Sequence, residues 1–139
     1  MSYAVSRALQ KAVYQHLTAF GPLTALVGAE IYDAPMPLDP DTSPPDYVTI
    51  GTEVARDRSS KTSFGALHDL TVTVHSNAHG FTRSKDAAAA ICDALLDATL
   101  VLERGDMIYL RFLKARADAA GAPVRRTIEL TFRAFVEDS

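Results

Sequence analysis

The sequence is poor in cysteine and has no long apolar run. Cys92 is the only cysteine in 139 residues, so no internal disulfide can form, and the disulfide-rich folds of small secreted proteins are excluded. The first segment, MSYAVSRALQKAVYQHL, has polar residues every few positions and lacks the apolar stretch of a signal peptide. No segment approaches the roughly 18 consecutive apolar residues that span a bilayer. We therefore expect a soluble, intracellular protein without a membrane partner.

The chain also lacks an excess of positive charge. Its 14 lysines and arginines are outnumbered by 17 acidic residues, and the formal net charge is -3. Tight binding to nucleic acid relies on clustered basic residues that neutralise phosphates, so such binding is not expected to be the main task. An apolar content of 47% is ordinary for a globular protein and excludes wholesale disorder. The length fits one domain with one core, over residues 1–139.

Apolar residues recur with a helical period in two segments and alternate in four others. The first helix should end at Gly21-Pro22, and the alanine-rich stretch TRSKDAAAAICDALLDA predicts the second. Strands are predicted in DYVTIGTEVA, in HDLTVTVHS and in two long terminal segments joined by the hairpin loop ADAAGAP, with a short additional strand near Ile31. We expect an α+β fold: an antiparallel β-sheet of four to five strands with two main helices packed on one face.

Three histidines lie close together in HDLTVTVHSNAHG, residues 68–80, and suggest a metal site at first sight. Successive strand residues point to opposite faces, so His68 and His75 should diverge across the sheet. His79 follows in a segment of turn residues, which does not fix its distance from the other two. A zinc site needs three or four ligands held at about 2 Å in rigid positions. We expect these histidines to face solvent or lie in turns, and we predict no metal ion or other cofactor.

The remaining candidates for catalysis are weak. We expect Cys92 to pack within the second helix rather than to act as a nucleophile, and His16 to be a partly buried, hydrogen-bonded residue. Asp39, Asp41 and Asp46 fall in or beside a proline-rich loop, residues 33–46, but lack the spacing, glycine and closing glutamate of a calcium loop. Phosphate-binding glycine loops and GxSxG are absent. The prediction is that the protein is not an enzyme. A small cytoplasmic metal- or ligand-binding protein built on the histidines is the alternative from another class.

Basic residues form two groups with possible binding roles. Arg56, Arg58 and Lys61 lie in a polar loop, residues 56–65, and either face a partner or a lumen or are simply solvated. The second group surrounds the terminal hairpin and is a candidate for inter-subunit contact, because arginine pairs well with carboxylates across an interface. Its members are Arg111, Lys114, Arg116, Arg125, Arg126 and Arg133. Exposure alone would explain them equally well. The long terminal strands should also leave unpaired edges that a neighbouring chain can pair.

The segments IYDAPMP, PPDYVTIG, HDLTVTVHS, the alanine helix and RRTIELTFRAFVED follow one another in an order that resembles a known family. This is the tail-completion or tail-terminator family of long-tailed bacteriophages and phage-derived particles, and the version here looks most like those of gene transfer agents of alphaproteobacteria. The resemblance covers almost the whole chain. It implies a six-fold ring that caps the tail tube at its head-proximal end, stops tube polymerisation and joins the tail to the head connector. No catalytic residues come with the family.

The resemblance also implies the partners. They are five further copies of the chain in a homo-hexamer, the tail tube protein, the head-tail connector or stopper protein, and DNA that passes through the lumen without sequence-specific binding. The protein would be made in the bacterial cytoplasm and assembled into the particle at the head-tail junction. A head-completion or stopper protein of the neck is the close alternative. A stopper is expected to be richer in β-structure, and the long alanine helix argues against it.

Overall fold

The computed structural model describes residues 3–33, 46–96, 99–121 and 124–138, and these form a five-stranded sheet with three helices. The elements in chain order are α1 (Ser6–Ala19), α2 (Gly21–Val27), β1 (Ile31–Tyr32), β2 (Asp46–Asp57), β3 (Phe64–Ser76), α3 (Thr82–Leu96), β4 (Asp106–Ala120) and β5 (Arg125–Asp138). The strands lie in the order β1-β2-β3-β5-β4. The predicted α+β class is confirmed, and the short strand expected near Ile31 is β1.

The sheet is mixed rather than wholly antiparallel. Strand β1 runs parallel to β2, with Ile31 opposite Val48, whereas β2–β3, β3–β5 and β5–β4 are antiparallel. Parallel neighbours need a long connection because the chain must return to the same end of the sheet. The segment 33–45, which separates β1 from β2 in the sequence, has the length for it. Most of the predicted proline-rich loop, including Asp39 and Asp41, lies outside the described residues.

The helices begin and end where the sequence indicates. Helix α1 ends at Ala19, and Pro22 lies in the first turn of α2, where its missing N–H leaves no hydrogen bond unmade. Gly28 follows α2 with φ of +63°, a conformation that glycine adopts without strain. Helix α3 presents Ala87, Ala90 and Ala94 towards the interior. These small side chains let α3 lie close to the sheet.

The core lies between the helices and one face of the sheet. Alternate residues of the three central strands are buried in one cluster with the apolar sides of α1, α2 and α3. The strand residues in it are Val48, Ile50, Leu70, Val72, Val74, Ile128, Leu130, Phe132, Ala134 and Val136. The register of β3 with β5 is continuous from Phe64–Asp138 to Ser76–Arg126, so successive side chains alternate between the two faces without a shift. The packing of the helices on one face is therefore as predicted.

Strand β2 breaks its alternation at one residue. The register shifts between Gly51 and Glu53, and the intervening Thr52 has φ of +37°, which is strained for a β-branched residue. Beyond this bulge the odd-numbered residues of β2 change sides. Glu53 consequently points towards the helices, opposite Leu70, instead of away from them.

The expectation that the terminal strands leave unpaired edges is wrong for the last strand. Strand β5 pairs with β3 on one side and with β4 on the other, so β4 lies at the edge. The reason is topological: α3 carries the chain across the sheet before β4, and β5 returns into the gap beside β3. The predicted loop ADAAGAP is also shorter than expected, because β4 continues to Ala120.

Phe132 and Phe112 test how much the core depends on its buried aromatic ring. They face each other across β5 and β4, with ring centroids 6.0 Å apart, but Phe132 is 0% exposed and Phe112 is 44% exposed. We expect Phe132→Ala to lower the free energy of unfolding by about 3–5 kcal/mol, because it leaves a cavity. Phe112→Ala is the matched control and should cost only about 1 kcal/mol, mainly for the lost ring pair. Urea denaturation of both variants measures the difference, and equal losses would contradict this account of the core.

Candidate assembly surface

The histidines lie on opposite faces of the sheet, as predicted. His68 points towards the helices, where its Nδ1 is 3.3 Å from Oε2 of Glu53, and His75 points the other way. The expectation that His68 faces solvent is wrong: its side chain is 0% exposed. The Thr52 bulge explains this, since it turns Glu53 inwards and supplies the buried ring with a polar partner. Within the described ranges, no group of three or more histidine, cysteine, aspartate or glutamate side chains could hold a metal ion.

Glu53 also ties the N-terminal segment to the sheet. The hydroxyl of Ser6 donates a 2.6 Å hydrogen bond to its Oε1, and Tyr3 approaches the same carboxylate. Burial by itself raises the pKa of Glu53, but the hydrogen bonds from His68, Ser6 and Tyr3 outweigh burial and leave the pKa below its ordinary value. The buried carboxylate is therefore ionised at neutral pH and organises three polar groups around it. Glu53 thereby links the N-terminal residues Tyr3 and Ser6 to the buried ring of His68.

His75 is held by packing on the other face. Its ring stacks on Tyr47 with centroids 4.4 Å apart and planes 7° from parallel, and its Nε2 is 3.0 Å from the hydroxyl of Thr49. Burial, together with the nearby charge of Arg125, lowers the pKa of His75 from 6.5 to about 4. His79 is exposed in a bend, as expected of a turn residue. His16 is partly buried with its Nε2 2.8 Å from the carbonyl of Ala94, which confirms its prediction.

The lowered pKa of His75 predicts a pH-dependent stability. The unfolded chain takes up a proton near pH 6.5, whereas the folded chain resists protonation down to about pH 4. Stability should therefore be fully present above pH 6.5 and decline as the pH falls towards 4. His75→Gln should lose this part of the dependence while keeping a polar group beside Thr49. Urea midpoints at several pH values measure the stability. An NMR titration that places the His75 pKa near 6.5 would contradict it.

The contacts of Cys92 and Asp46 hold parts of the fold together. Cys92 is half-buried in α3, and burial followed by the charge of Asp93 raises the pKa of its thiol, which opposes formation of a nucleophilic thiolate. Asp46 begins β2, accepts a 2.5 Å hydrogen bond from the Ser76 hydroxyl and pairs with Arg83. Its carboxylate thus joins the start of β2 to the end of β3 and to α3.

Basic residues from three strands meet on the face of the sheet that no described helix covers, which we call the helix-free face. Arg133 binds Asp69 through two hydrogen bonds, Nε to Oδ1 at 2.7 Å and Nη2 to Oδ2 at 3.0 Å. Arg56 adds a contact of 3.3 Å to the same carboxylate, and Arg111 lies opposite Arg133 in the register of β4 and β5. With Lys114, whose charge also acts on Asp69, these five residues form what we call the Asp69 cluster.

The electrostatics of the Asp69 cluster follow from its charge imbalance. The hydrogen bonds from Arg133 lower the pKa of Asp69, and the charges of Arg133, Arg56 and Lys114 lower it further against the opposing effect of burial. Asp69 in turn raises the pKa of Arg133. Four cations share this part of the face with one carboxylate, so the formal charge of the cluster is positive although the chain as a whole is negative. The guanidinium of Arg111 lies 3.9 Å from the ring centroid of Tyr109. The sequence pattern alone did not place these residues together.

The other basic candidates are dispersed. Arg58 and Lys61 are exposed in the turn between β2 and β3, whereas Arg56 lies within β2. Arg116 forms an exposed pair with Asp118 at 3.3 Å, and Arg125 lies over the ring of Tyr47. Arg126 alone of the hairpin group points to the helix side, where its Nη1 donates a 2.6 Å hydrogen bond to the carbonyl of Ala78. Arg126 and Arg133 are thus both engaged within their own subunit.

The outer edge of β4 is the most prominent unsatisfied surface. This strand runs for 15 residues, and no other strand of the described chain pairs with its outer side. From Arg111 to Ala120 every residue is exposed, including Phe112 at 44% and Leu113 at 43%. Backbone groups on such an edge bond either to water or to another chain. The unpaired edge predicted for the terminal strands is therefore found on β4, which extends through ADAA, a segment predicted to lie in the hairpin loop.

A long free edge can pair with a strand of another chain, and comparisons with known proteins identify the family. The sequence model of the family described as Tail completion protein gp17 matches residues 11–137, and the chain belongs to this family. A chain of the solved structure titled "Virion of native gene transfer agent (GTA) particle" is 48% identical, with a TM-score of 0.88 over 98% of this chain and 99% of that chain. A search of curated proteins finds no match.

The resemblance seen in the sequence is thereby confirmed. The protein is a tail completion protein, a structural component of the phage and gene transfer agent kind. In the part of the chain that the structure describes, no helix has the length and apolar character needed to cross a membrane.

Proposed function

We propose that this tail completion protein is the tail terminator of its particle. Six copies form a ring on the head-proximal end of the tail tube, where the ring ends polymerisation of the tube protein and binds the head connector or stopper protein. The protein is made in the bacterial cytoplasm, takes its place at the head-tail junction and catalyses no reaction. The free edge of β4, in a chain 48% identical to one from a gene transfer agent virion, is the observation that carries the proposal.

A ring requires a heterologous contact, in which one patch of a subunit binds a different patch of the next until rotation closes the circle. The edge of β4 supplies one patch, because a neighbour that pairs with it satisfies a row of backbone N–H and C=O groups at once. The same neighbour would cover Ile108, Phe112 and Leu113, which are 52%, 44% and 43% exposed. In such an interface, the backbone hydrogen bonds would fix the direction of the neighbouring strand, and burial of the apolar side chains would provide the affinity.

The arginines play a smaller part in this interface than their sequence positions suggest. Arg126 and Arg133 have partners in their own subunit, and freeing them would leave Asp69 and the carbonyl of Ala78 without those bonds. Arg116 and Arg125 lie near the end of the hairpin and stay candidates for inter-subunit contact. Arg116 in particular is held only by an exposed pair with Asp118, which competes weakly with a neighbour's carboxylate.

A charge placed on the β4 edge tests the proposed interface. We expect Leu113→Glu to abolish ring formation, because the interface between subunits would have to bury the new carboxylate. The monomer should stay folded, because Leu113 is already 43% exposed in it. Val101→Glu is the matched control: Val101 is an apolar residue 88% exposed and outside the strands. Light scattering gives the mass of each species, and negative-stain microscopy shows whether rings close. A Leu113→Glu protein that assembles as the wild type does would exclude the β4 edge.

Removal of the gene tests the function itself. A particle without a terminator should grow tails of uncontrolled length or leave tails that do not join filled heads. Electron microscopy measures both outcomes. Expression of the wild-type chain, or of the Val101→Glu chain, should restore normal tails, whereas the Leu113→Glu chain should not. Tails of normal length and normal attachment in the absence of the gene would refute the proposal.

A further inference from the structure

We infer that the ring closes by pairing two unlike strand edges, the outer edge of β4 in one subunit and residues 51–57 of β2 in the next. We call residues 51–57 the free segment of β2. The inference rests on the proposed ring, for which the edge of β4 supplies one patch, and it identifies the second patch and the register between the two. The partner is a second copy of this chain, and the sheet continues from each subunit into its neighbour.

Strand β2 has a neighbour on its outer side only at its beginning. Strand β1 consists of Ile31 and Tyr32, whose partners in β2 are Val48 and Thr49. Strand β2 continues to Asp57, and no other strand of the described chain pairs with its outer side there. The exposed residues of this part are Thr52, Val54, Arg56 and Asp57. The sheet therefore has a second free edge, on the side opposite to β4.

The strand directions suit a pairing of these two edges. The pairs β2–β3, β3–β5 and β5–β4 are all antiparallel, so β4 runs opposite to β2 within one subunit. Rotation about a ring axis that lies along the strands leaves every strand direction unchanged. The edge of β4 and the free segment of β2 in the next subunit therefore meet as an antiparallel pair, the arrangement that the rest of this sheet uses.

Each of the two edges has one residue inserted between the same two rows of the sheet. Followed through the register, one row is Glu53, Leu70, Phe132 and Phe112, and the next row is Gly51, Thr71, Thr131 and Lys114. The inserted residues are Thr52 in β2 and Leu113 in β4. The two edges are therefore irregular at the same level of the sheet, although they belong to strands at its opposite sides.

A ring brings these irregularities together. Neighbouring subunits of a ring are related by rotation without a shift along the axis, so each level of one edge meets the same level of the next. Thr52 of one subunit then lies beside Leu113 of its neighbour, and two strands that bend at the same place stay paired. On the same basis Val54 meets Arg111, because Val54, Asp69, Arg133 and Arg111 form one row.

Exposed apolar side chains lie on both edges at these levels. Val54 is 57% exposed in the free segment of β2. Residues 107–114 of β4 lie level with that segment, and they include Ile108, Phe112 and Leu113. Residues 116–120 of β4 contain no large apolar side chain, and they begin level with Thr49, which β1 already covers. The apolar part of β4 thus coincides with the part for which the next subunit has a free edge.

Cysteine cross-linking in purified particles tests the pairing directly. With Cys92→Ala as the common background, Val54→Cys and Arg111→Cys are combined in one chain. Within a subunit these positions lie on opposite edges, three strand spacings or about 14 Å apart, which is too far for a disulfide. Mild oxidation should therefore give a ladder of covalent oligomers that ends at six, and reduction should return the monomer.

The matched control combines Val54→Cys with Asp118→Cys. Asp118 is exposed on the same face of β4 but lies about 23 Å from Arg111 along the strand, so this chain should give no ladder. Each single variant should stay monomeric, because a heterologous contact places each residue against a different one. Coexpression of the two single variants, Val54→Cys and Arg111→Cys, should give dimers and nothing larger. A covalent dimer of the Arg111→Cys chain alone would mean that two β4 edges pair with each other, and it would overturn the inference.

Charge reversal gives a second measurement that needs no oxidation. Val54→Lys should lower the yield of tails joined to heads several-fold, because the new ammonium group meets Arg111 of the neighbour. Addition of Arg111→Glu to the same chain should restore the yield, since the two positions then carry opposite charges. Val101→Lys is the control, because Val101 is 88% exposed and outside the strands. A normal yield with Val54→Lys, or no rescue by Arg111→Glu, would exclude this register.

The particle separates failure of this inference from failure of the proposed function. Particles of the Val54→Cys, Arg111→Cys chain that have normal tails but give no ladder would exclude the pairing of β4 with β2 and leave the terminator role intact. A ladder of equal strength from the control with Asp118→Cys would overturn the register. Failure of the proposed function appears instead as normal tails in the absence of the gene, whatever the cross-links show.

Discussion

Burial of alternate side chains along β2, β3 and β5 against three helices leaves the intervening side chains on a face that no described helix covers. The two faces of the sheet therefore differ in character: the main apolar cluster lies on the helix side, and the Asp69 cluster lies on the other side. The division also separates the two histidines of β3. His68 is closed into the core beside Glu53, and His75 is packed on Tyr47 across the sheet.

Where the pattern was local, the sequence was sufficient. The alternation in HDLTVTVHS predicted β3 and its two faces, and therefore that His68 and His75 cannot share a metal ion. The alanine-rich segment predicted α3, and Gly21-Pro22 predicted the boundary between α1 and α2. Each of these features depends on residues a few positions apart, for which periodicity and turn residues are direct physical signals.

Features that depend on distant pairing could not be predicted. A threonine that adopts positive φ leaves no pattern in the sequence, so the bulge at Thr52 and the inward turn of Glu53 were invisible, and with them the burial of His68. The strand order depends on how α3 crosses the sheet, which no local segment encodes. The Asp69 cluster needs the registers of β2, β3, β5 and β4 together. Its four basic members were predicted to belong to two separate groups.

Strand β4 is irregular at two places, with register shifts between Met107 and Tyr109 and between Phe112 and Lys114. If the edge of β4 were flat and uninterrupted, further copies of the chain could pair with it one after another and form ribbons. Each irregularity twists the edge and requires an incoming strand to follow the same bend. An incoming strand without this contour therefore pairs less well with the edge of β4.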